Sequence, residues 1–226
     1  MLKAINLTKN YGSHTALNEL NLTIEKGEIF ALLGQNGAGK TTTINCFLGF
    51  IKPTSGKATI NDESVATAPE SARKQLAYIP ETVMLYPNLT GLQNLKFFSS
   101  LAGFKYAQQD LVKFLQKAGL QESAHQKVTK GYSKGMRQKV GIAIALAKKA
   151  KALLLDEPTS GLDPKAANEF SNILTELATQ DTSILMATHD IFRAKEIAHR
   201  IGILKEGNLV SQVETSSLSA QELEQL

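Results

Sequence analysis

One cysteine, Cys46, is all that the 226 residues contain. An internal disulfide framework and a cysteine-cluster metal site are therefore excluded, and the expected compartment is the cytoplasm. No apolar run approaches the roughly 20 residues needed to cross a bilayer. The longest, Val140 to Ala147, holds eight residues, includes Gly141 and is flanked by lysines. The opening stretch, MLKAINLTKNYG, lacks the apolar centre of a secretory signal. Neither sign of charge dominates: 25 Lys and Arg stand against 21 Asp and Glu, a net +4 and a pI near 9.0. That balance is mildly basic and does not by itself call for nucleic acid. Internal repeats and low-complexity linkers are also missing. What remains is an ordinary globular composition, 42% hydrophobic and 20% charged, long enough for one large domain or two small ones.

Strand-like and helix-like patterns alternate, which predicts an α/β fold with a mostly parallel core sheet. Leu2 to Leu7 and Leu17 to Ile24 alternate apolar and polar residues, as strands of a half-solvated antiparallel layer do. Glu28 to Leu33 reads as a buried central strand, followed by a glycine-rich loop and a helix over Thr41 to Gly49. Lys57 to Asn61 and Leu76 to Ile79 read as further strands. From about 85 to 150 no strand is expected: Thr90 opens a helix to about Leu101, Ala107 to Ala118 forms another, and Ser133 caps a long helix to about Ala150. This is a helical subdomain within a single domain over 1–226. The α/β pattern then resumes with strands at Leu153 to Asp156 and Ser183 to Thr188, and helices at Pro164 to Thr179 and Ile191 to Ala198. Ile201 to Leu204 and Asn208 to Val213 read as a hairpin around Glu206 and Gly207. Thr215 to Leu226 is a polar, acidic tail expected to form a short surface helix.

The chemistry is concentrated at two strand ends. Gly34, Gln35, Asn36, Gly37, Ala38, Gly39, Lys40 and Thr41 fit G-x-x-x-x-G-K-[ST] in full, between a predicted strand and a predicted helix. Glycines let the backbone wrap a polyphosphate with its N–H groups inward. The helix start, with Thr42 following, adds a positive dipole end. The Lys40 ammonium reaches the β- and γ-phosphates, and the Thr41 hydroxyl is suited to Mg²⁺. Ala152 to Leu155 then form an apolar strand ending in Asp156 and Glu157, 116 residues after Lys40 (156 minus 40). Strand ends of this kind line the ligand crevice of an open α/β sheet. Asp156 is placed to hold Mg²⁺ through water, and Glu157 to polarise an attacking water.

At this point the sequence resembles the nucleotide-binding subunits of ATP-binding cassette (ABC) transporters, over nearly its whole length. Tyr132-Ser133-Lys134-Gly135-Met136 is similar to the family's LSGGQ signature at Ser133 and Gly135, and departs from it at Tyr132, Lys134 and Met136. The Ser-Lys-Gly-Met variant resembles an exporter-like branch. Ser160-Gly161-Leu162-Asp163 looks like the D-loop, and His189 like the switch histidine, 32 residues after Glu157 (189 minus 157). Tyr11 sits where the family stacks an aromatic ring on adenine. Glu81 stands where the Q-loop usually carries Gln; its carboxylate offers oxygen to Mg²⁺ and adds a negative charge near the γ-phosphate. The resemblance implies ATP hydrolysis that powers a transporter at the cytoplasmic face of the membrane. Two cassettes, identical or different, pack head-to-tail, so that Ser133 and Gly135 of one meet the nucleotide of the other. It also implies separate transmembrane permease subunits, docked near Glu81 to Leu95 and the helical subdomain.

Other readings compete for the same residues. A soluble ABC ATPase acting on nucleic acid or ribosomes is the main rival, and a P-loop kinase or GTPase would also use Lys40 and Thr41. Between Gln126 and Leu155 there are eight Lys or Arg residues and no Asp or Glu. Such a run is either a solvated face or a surface for phosphates or an acidic membrane. It lacks the interleaved aromatics of a nucleic-acid site, so no nucleic-acid partner is expected. His14, His125 and His199 have no metal spacing, and Cys46 reads as a packed thiol.

Overall fold

A computed structural model describes residues 1–217. The chain opens with strands β1 (Leu2–Tyr11) and β2 (His14–Ile24), then β3 (Ile29–Leu33) and helix α1 (Lys40–Leu48). Strands β4 (Ser55–Ile60) and β5 (Glu63–Ser64), helix α2 (Pro69–Lys74) and strand β6 (Leu76–Ile79) follow. Helices α3 (Gly91–Leu101), α4 (Gln108–Lys117), α5 (Glu122–His125) and α6 (Lys134–Ala147) come next. The last third runs β7 (Ala152–Asp156), α7 (Pro164–Thr179), β8 (Ser183–Thr188), α8 (Ile191–Ile197), β9 (Arg200–Lys205) and β10 (Asn208–Glu214). Of the expected tail helix, only Thr215–Ser217 falls among the described residues, as one 3₁₀ turn; the rest lies outside them.

Two sheets result. The core sheet has the order β10-β9-β3-β8-β7-β6, parallel except for the β9–β10 hairpin. The other, β2-β1-β4-β5, is antiparallel throughout. Alternation along the core strands feeds two separate apolar clusters. Ile29, Ala31, Leu155 and Met186 face helices α3 to α8. Phe30, Leu32, Leu154 and Leu185 face α1 and the antiparallel sheet. A strand buried on both faces reads as a continuous apolar run, which is why β3, β7 and β8 stand out in the sequence.

Caps set the helix starts. Thr90 and Gln93 form a reciprocal capping box at α3, with Gln93 N–H donating to Thr90 Oγ1 at 3.2 Å and Thr90 N–H to Gln93 Oε1 at 2.9 Å. Ser133 Oγ accepts from Met136 N–H at α6, Asp163 from Ala166 N–H at α7, and Asp190 from Arg193 N–H at α8. Each cap contributes about 1 kcal/mol.

Candidate nucleotide site

The phosphate loop joins the C-terminal end of β3 to α1 and presses back onto its neighbours. A Cβ on Gly34 would stand 2.5 Å from the Leu204 carbonyl oxygen. Gly39, at φ 111°, would bring one to 2.6 Å from the Ala16 carbonyl oxygen. Side chains at these positions would push the loop off the sheet. Gly39 supplies no side-chain cap, so the first N–H groups of α1 remain available to an anion.

Lys40 is 6% exposed, an unusual position for a lysine. Its ammonium donates to the carbonyls of Gly34 at 2.5 Å and Gln35 at 3.2 Å, and lies 3.6 Å from Glu157 Oε1. The Thr41 hydroxyl donates to Asp156 Oδ2 at 3.1 Å, tying the first motif to the second. Strands β3 and β7 are not adjacent; β8 lies between them and sends Thr188 and His189 into the gap. Thr188 Oγ1 donates to Glu157 Oε2 at 3.2 Å, and His189 N–H to the same oxygen at 3.4 Å. His189 Nδ1 stands 2.9 Å from Glu157 Oε1. The alignment there is not that of a hydrogen bond, and Oε1 has no hydrogen-bond partner; the contact is an ion pair whenever the ring is protonated. Glu157 holds this place at φ 45°. A non-glycine residue in the left-handed region costs on the order of 1–3 kcal/mol, a strain typical of functional sites.

Lys40, Thr41, Asp156 and Glu157 share a cavity of about 380 Å³ with Tyr11, Ala16 and Glu81, within the range of small-molecule sites; Thr188 and His189 reach it only through Glu157. Gly34, Ala38 and Thr42 belong to the same loop and helix turn. The Tyr11 ring is half exposed at the cavity edge, with the Lys9 ammonium 4.8 Å from its centroid. Ser133 and Gly135 lie elsewhere, in a hollow of about 230 Å³ with Met136, Lys139 and Asp163. A larger cleft, about 740 Å³, opens by Met1, Lys26, Gln75, Lys151 and Asp181. It lies at the N-terminal ends of β6, β7 and β8, away from the phosphate loop, and has none of its features.

Several contributors were not singled out in the sequence. Thr188 orients Glu157, and the buried Gln138 side-chain amide donates to the Pro158 carbonyl, fixing the loop beyond it. A polar residue on the buried face of α6 is the signal that would have found Gln138. Buried Asn94 satisfies the backbone of Tyr86, Leu89 and Thr90, and so shapes the segment after Glu81. Of the remaining histidines, His14 lines the cavity. His125 is buried against the Leu120 carbonyl, and His199 Nδ1 accepts from Ile29 N–H. Cys46 is buried, and burial pushes its thiol up to about 11, that of an inert packing residue.

Comparison with known proteins decides the family. The family model described as ABC transporter matches residues 17–160. The chain belongs to the ABC transporter family. Among ABC relatives, it is 39% identical over 208 residues to the ATP-binding protein YdbJ of Bacillus subtilis (strain 168), covering 92% of this chain and 67% of that one. It is 36% identical to the bacitracin transport ATP-binding protein BcrA of Enterococcus faecalis, covering 96% and 70%. The ABC transporter cassette MJ0796, solved as a dimer bound to ADP and Pi, superposes with a TM-score of 0.84 at 28% identity, over 95% of this chain and 99% of that one. This is an ATP-binding subunit, built as an ABC cassette.

The donor set of the cassette suits Mg²⁺. Thr41, Asp156 and Glu81 offer oxygens only, as a hard cation requires, and they leave room for phosphate oxygens and water. No cluster of three or more His, Cys, Asp or Glu able to hold a metal exists among the described residues. Burial raises the Asp156 carboxyl above its ordinary value; the Thr41 hydroxyl opposes this, and Glu157 adds to it. A carboxyl raised in the fold lowers stability as pH climbs through and above the normal carboxylate range, because the unfolded chain ionises more easily. Asp156→Asn should therefore melt higher than wild type at pH 8 without nucleotide, with the gap closing towards pH 4. Thermal melts across that range check this; a lower melting temperature at every pH would contradict it.

Proposed function

We propose that this cassette binds Mg²⁺-ATP, hydrolyses it, and powers a membrane transporter through ATP-dependent head-to-tail pairing. The observation that carries the reading is the meeting of Lys40, Thr41, Asp156, Glu157 and His189 at the C-terminal ends of three adjacent strands. The loop from Gly34 to Thr42 holds the phosphates. Thr41, Asp156 and Glu81 hold Mg²⁺, which neutralises phosphate charge when bound. Glu157 orients and deprotonates water, and His189 supports Glu157 and the γ-phosphate. Tyr11 stacks on adenine. Ser133 and Gly135, outside this cavity, act on the nucleotide of a second cassette, identical or different; the dimer of the similar cassette MJ0796 supports that arrangement.

A separate permease covers the surface after Glu81. Met84 and Tyr86 are exposed there, and Tyr86 packs edge-on against Phe97, itself partly exposed, at 4.9 Å between ring centroids. Such an apolar patch suits a partner helix. No helix among the described residues is long and apolar enough to cross a membrane; in this reading the permease places the cassette at the cytoplasmic membrane face. The transport names of relatives such as BcrA support a role in a transport system; the exporter-like branch rests on the resemblance carried by Ser133-Lys134-Gly135-Met136. Action on nucleic acid is the weaker reading. Of the eight basic residues between 126 and 155, Lys134 and Lys139 pair with Glu81 and Glu169, while Arg137 and Lys148 bind the carbonyls of Tyr132 and Arg73.

The purified chain should release phosphate from ATP, and chelation of Mg²⁺ should suppress the rate to background. Phosphate release indifferent to chelator, or none above background, would overturn the reading.

A further inference from the structure

Two departures from the family pattern, 53 residues apart in sequence, meet in space. Lys134, the first residue of α6, places its ammonium 3.4 Å from Glu81 Oε1, just beyond β6. Ser160 Oγ donates to the same oxygen at 3.2 Å. The Lys134 stem lies across Gly161, where an added Cβ would be 3.8 Å from Nζ and 4.0 Å from Cδ. One carboxylate oxygen thus joins the segment after β6, the loop after β7 and the start of the signature-like helix. The same Glu81 lines the phosphate cavity.

We propose that Lys134 is a positioning residue for Glu81, and that it opposes nucleotide-bound Mg²⁺ for that carboxylate. The proposal rests on the reading of the cavity as a Mg²⁺-ATP site. A carboxylate already paired with an ammonium is a weaker ligand for a second cation. The linkage is reciprocal: whatever factor Lys134 takes from Mg²⁺ affinity, Mg²⁺-nucleotide takes from the Lys134–Glu81 pair. Occupation of the cavity therefore loosens α6 from the Glu81 segment. It also releases a cation beside Ser133, on the face offered to the second cassette. A glutamine at 81 would lack the charge to hold Lys134, and a glycine at 134 would lack the charge to be held.

The test is the affinity for a non-hydrolysable ATP analogue, with and without Mg²⁺, at protein concentrations where sedimentation shows monomer. Lys134→Ala should raise the Mg²⁺-dependent gain in affinity about threefold, the scale of a part-exposed ion pair, and leave metal-free binding unchanged. Lys134→Arg should behave as wild type. In a Glu81→Gln background, Lys134→Ala should add nothing, since the interaction it removes is already gone. The effect should shrink in 1 M salt, where the screening length is about 3 Å. An equal change with and without Mg²⁺, or the same change in the Glu81→Gln background, overturns the positioning role. Mg²⁺-dependent binding indifferent to Lys134 likewise rejects this role and keeps the nucleotide site. Absence of analogue binding by the wild type rejects both.

Discussion

Glu157→Gln should retain ATP and lose turnover by about 10²–10⁴-fold, the usual contribution of a general base. The substitution keeps the shape of the side chain and an oxygen for the Thr188 hydroxyl and the His189 N–H, which hold Oε2 at 3.2 and 3.4 Å. It removes the basicity, together with the negative charge that faces Lys40 and His189. Nucleotide then persists long enough to be read as an interface component, and association is linked to its occupancy. Without ATP the chain should sediment mainly as a monomer at micromolar concentration. Glu157→Gln with ATP and Mg²⁺ should shift towards dimer. Adding Ser133→Arg should reverse the shift, because a long side chain then occupies the N-terminus of α6, where the partner's phosphate would sit. Analytical ultracentrifugation decides the matter. An oligomeric state indifferent both to ATP and to Ser133→Arg would sink the head-to-tail arrangement.

Lys40→Ala should lower ATP binding or hydrolysis by on the order of 100-fold or more, the effect of removing a donor aimed at transition-state charge. The ammonium already sits among three oxygens, from Gly34, Gln35 and Glu157, so the cavity holds a fixed cation before any phosphate arrives. Lys40→Met keeps the packed stem without the charge and should fall as far. That comparison separates a loss of charge from a loss of packing. Steady-state ATPase activity of either variant within threefold of wild type would reject the phosphate-site assignment.

Elements bounded by motifs or buried on both faces were the most legible in the sequence. Strands β6 and β8 and helix α7 follow the expected spans, and Thr90 and Ser133 cap the helices expected of them. The antiparallel sheet runs longer than its sequence alternation predicts, for a physical reason. Strands β1 and β2 continue to Tyr11 and from His14, but their register shifts between Ala4 and Leu7 and again near Lys9, and Asn6 and Glu19 take positive φ. Bulges break the two-residue alternation that marks a strand in a sequence. Strand β5 has two residues and α2 has six, too short to leave a periodic pattern. At the site, each motif was visible alone. Thr41 meeting Asp156, or Lys134 meeting Glu81, depends on strand order, which no local pattern encodes.

That strand order also sets a clock on synthesis. Both neighbours of β3 in the sheet, β8 and β9, come from the last fifth of the chain. Leu33 and Ser183 are 150 residues apart (183 minus 33). At the usual elongation rates of about 5–20 residues per second, β3 emerges roughly 8–30 s before its first partner. During that interval a five-residue strand, fully buried in the finished fold, has two unpaired edges and two apolar faces to shield. The phosphate loop behind it is complete in sequence long before it is complete in shape. Completion of the phosphate site thus waits on the synthesis of β8 and β9, and until β8 slides in beside β3 the edges of that strand stay open to other pairings.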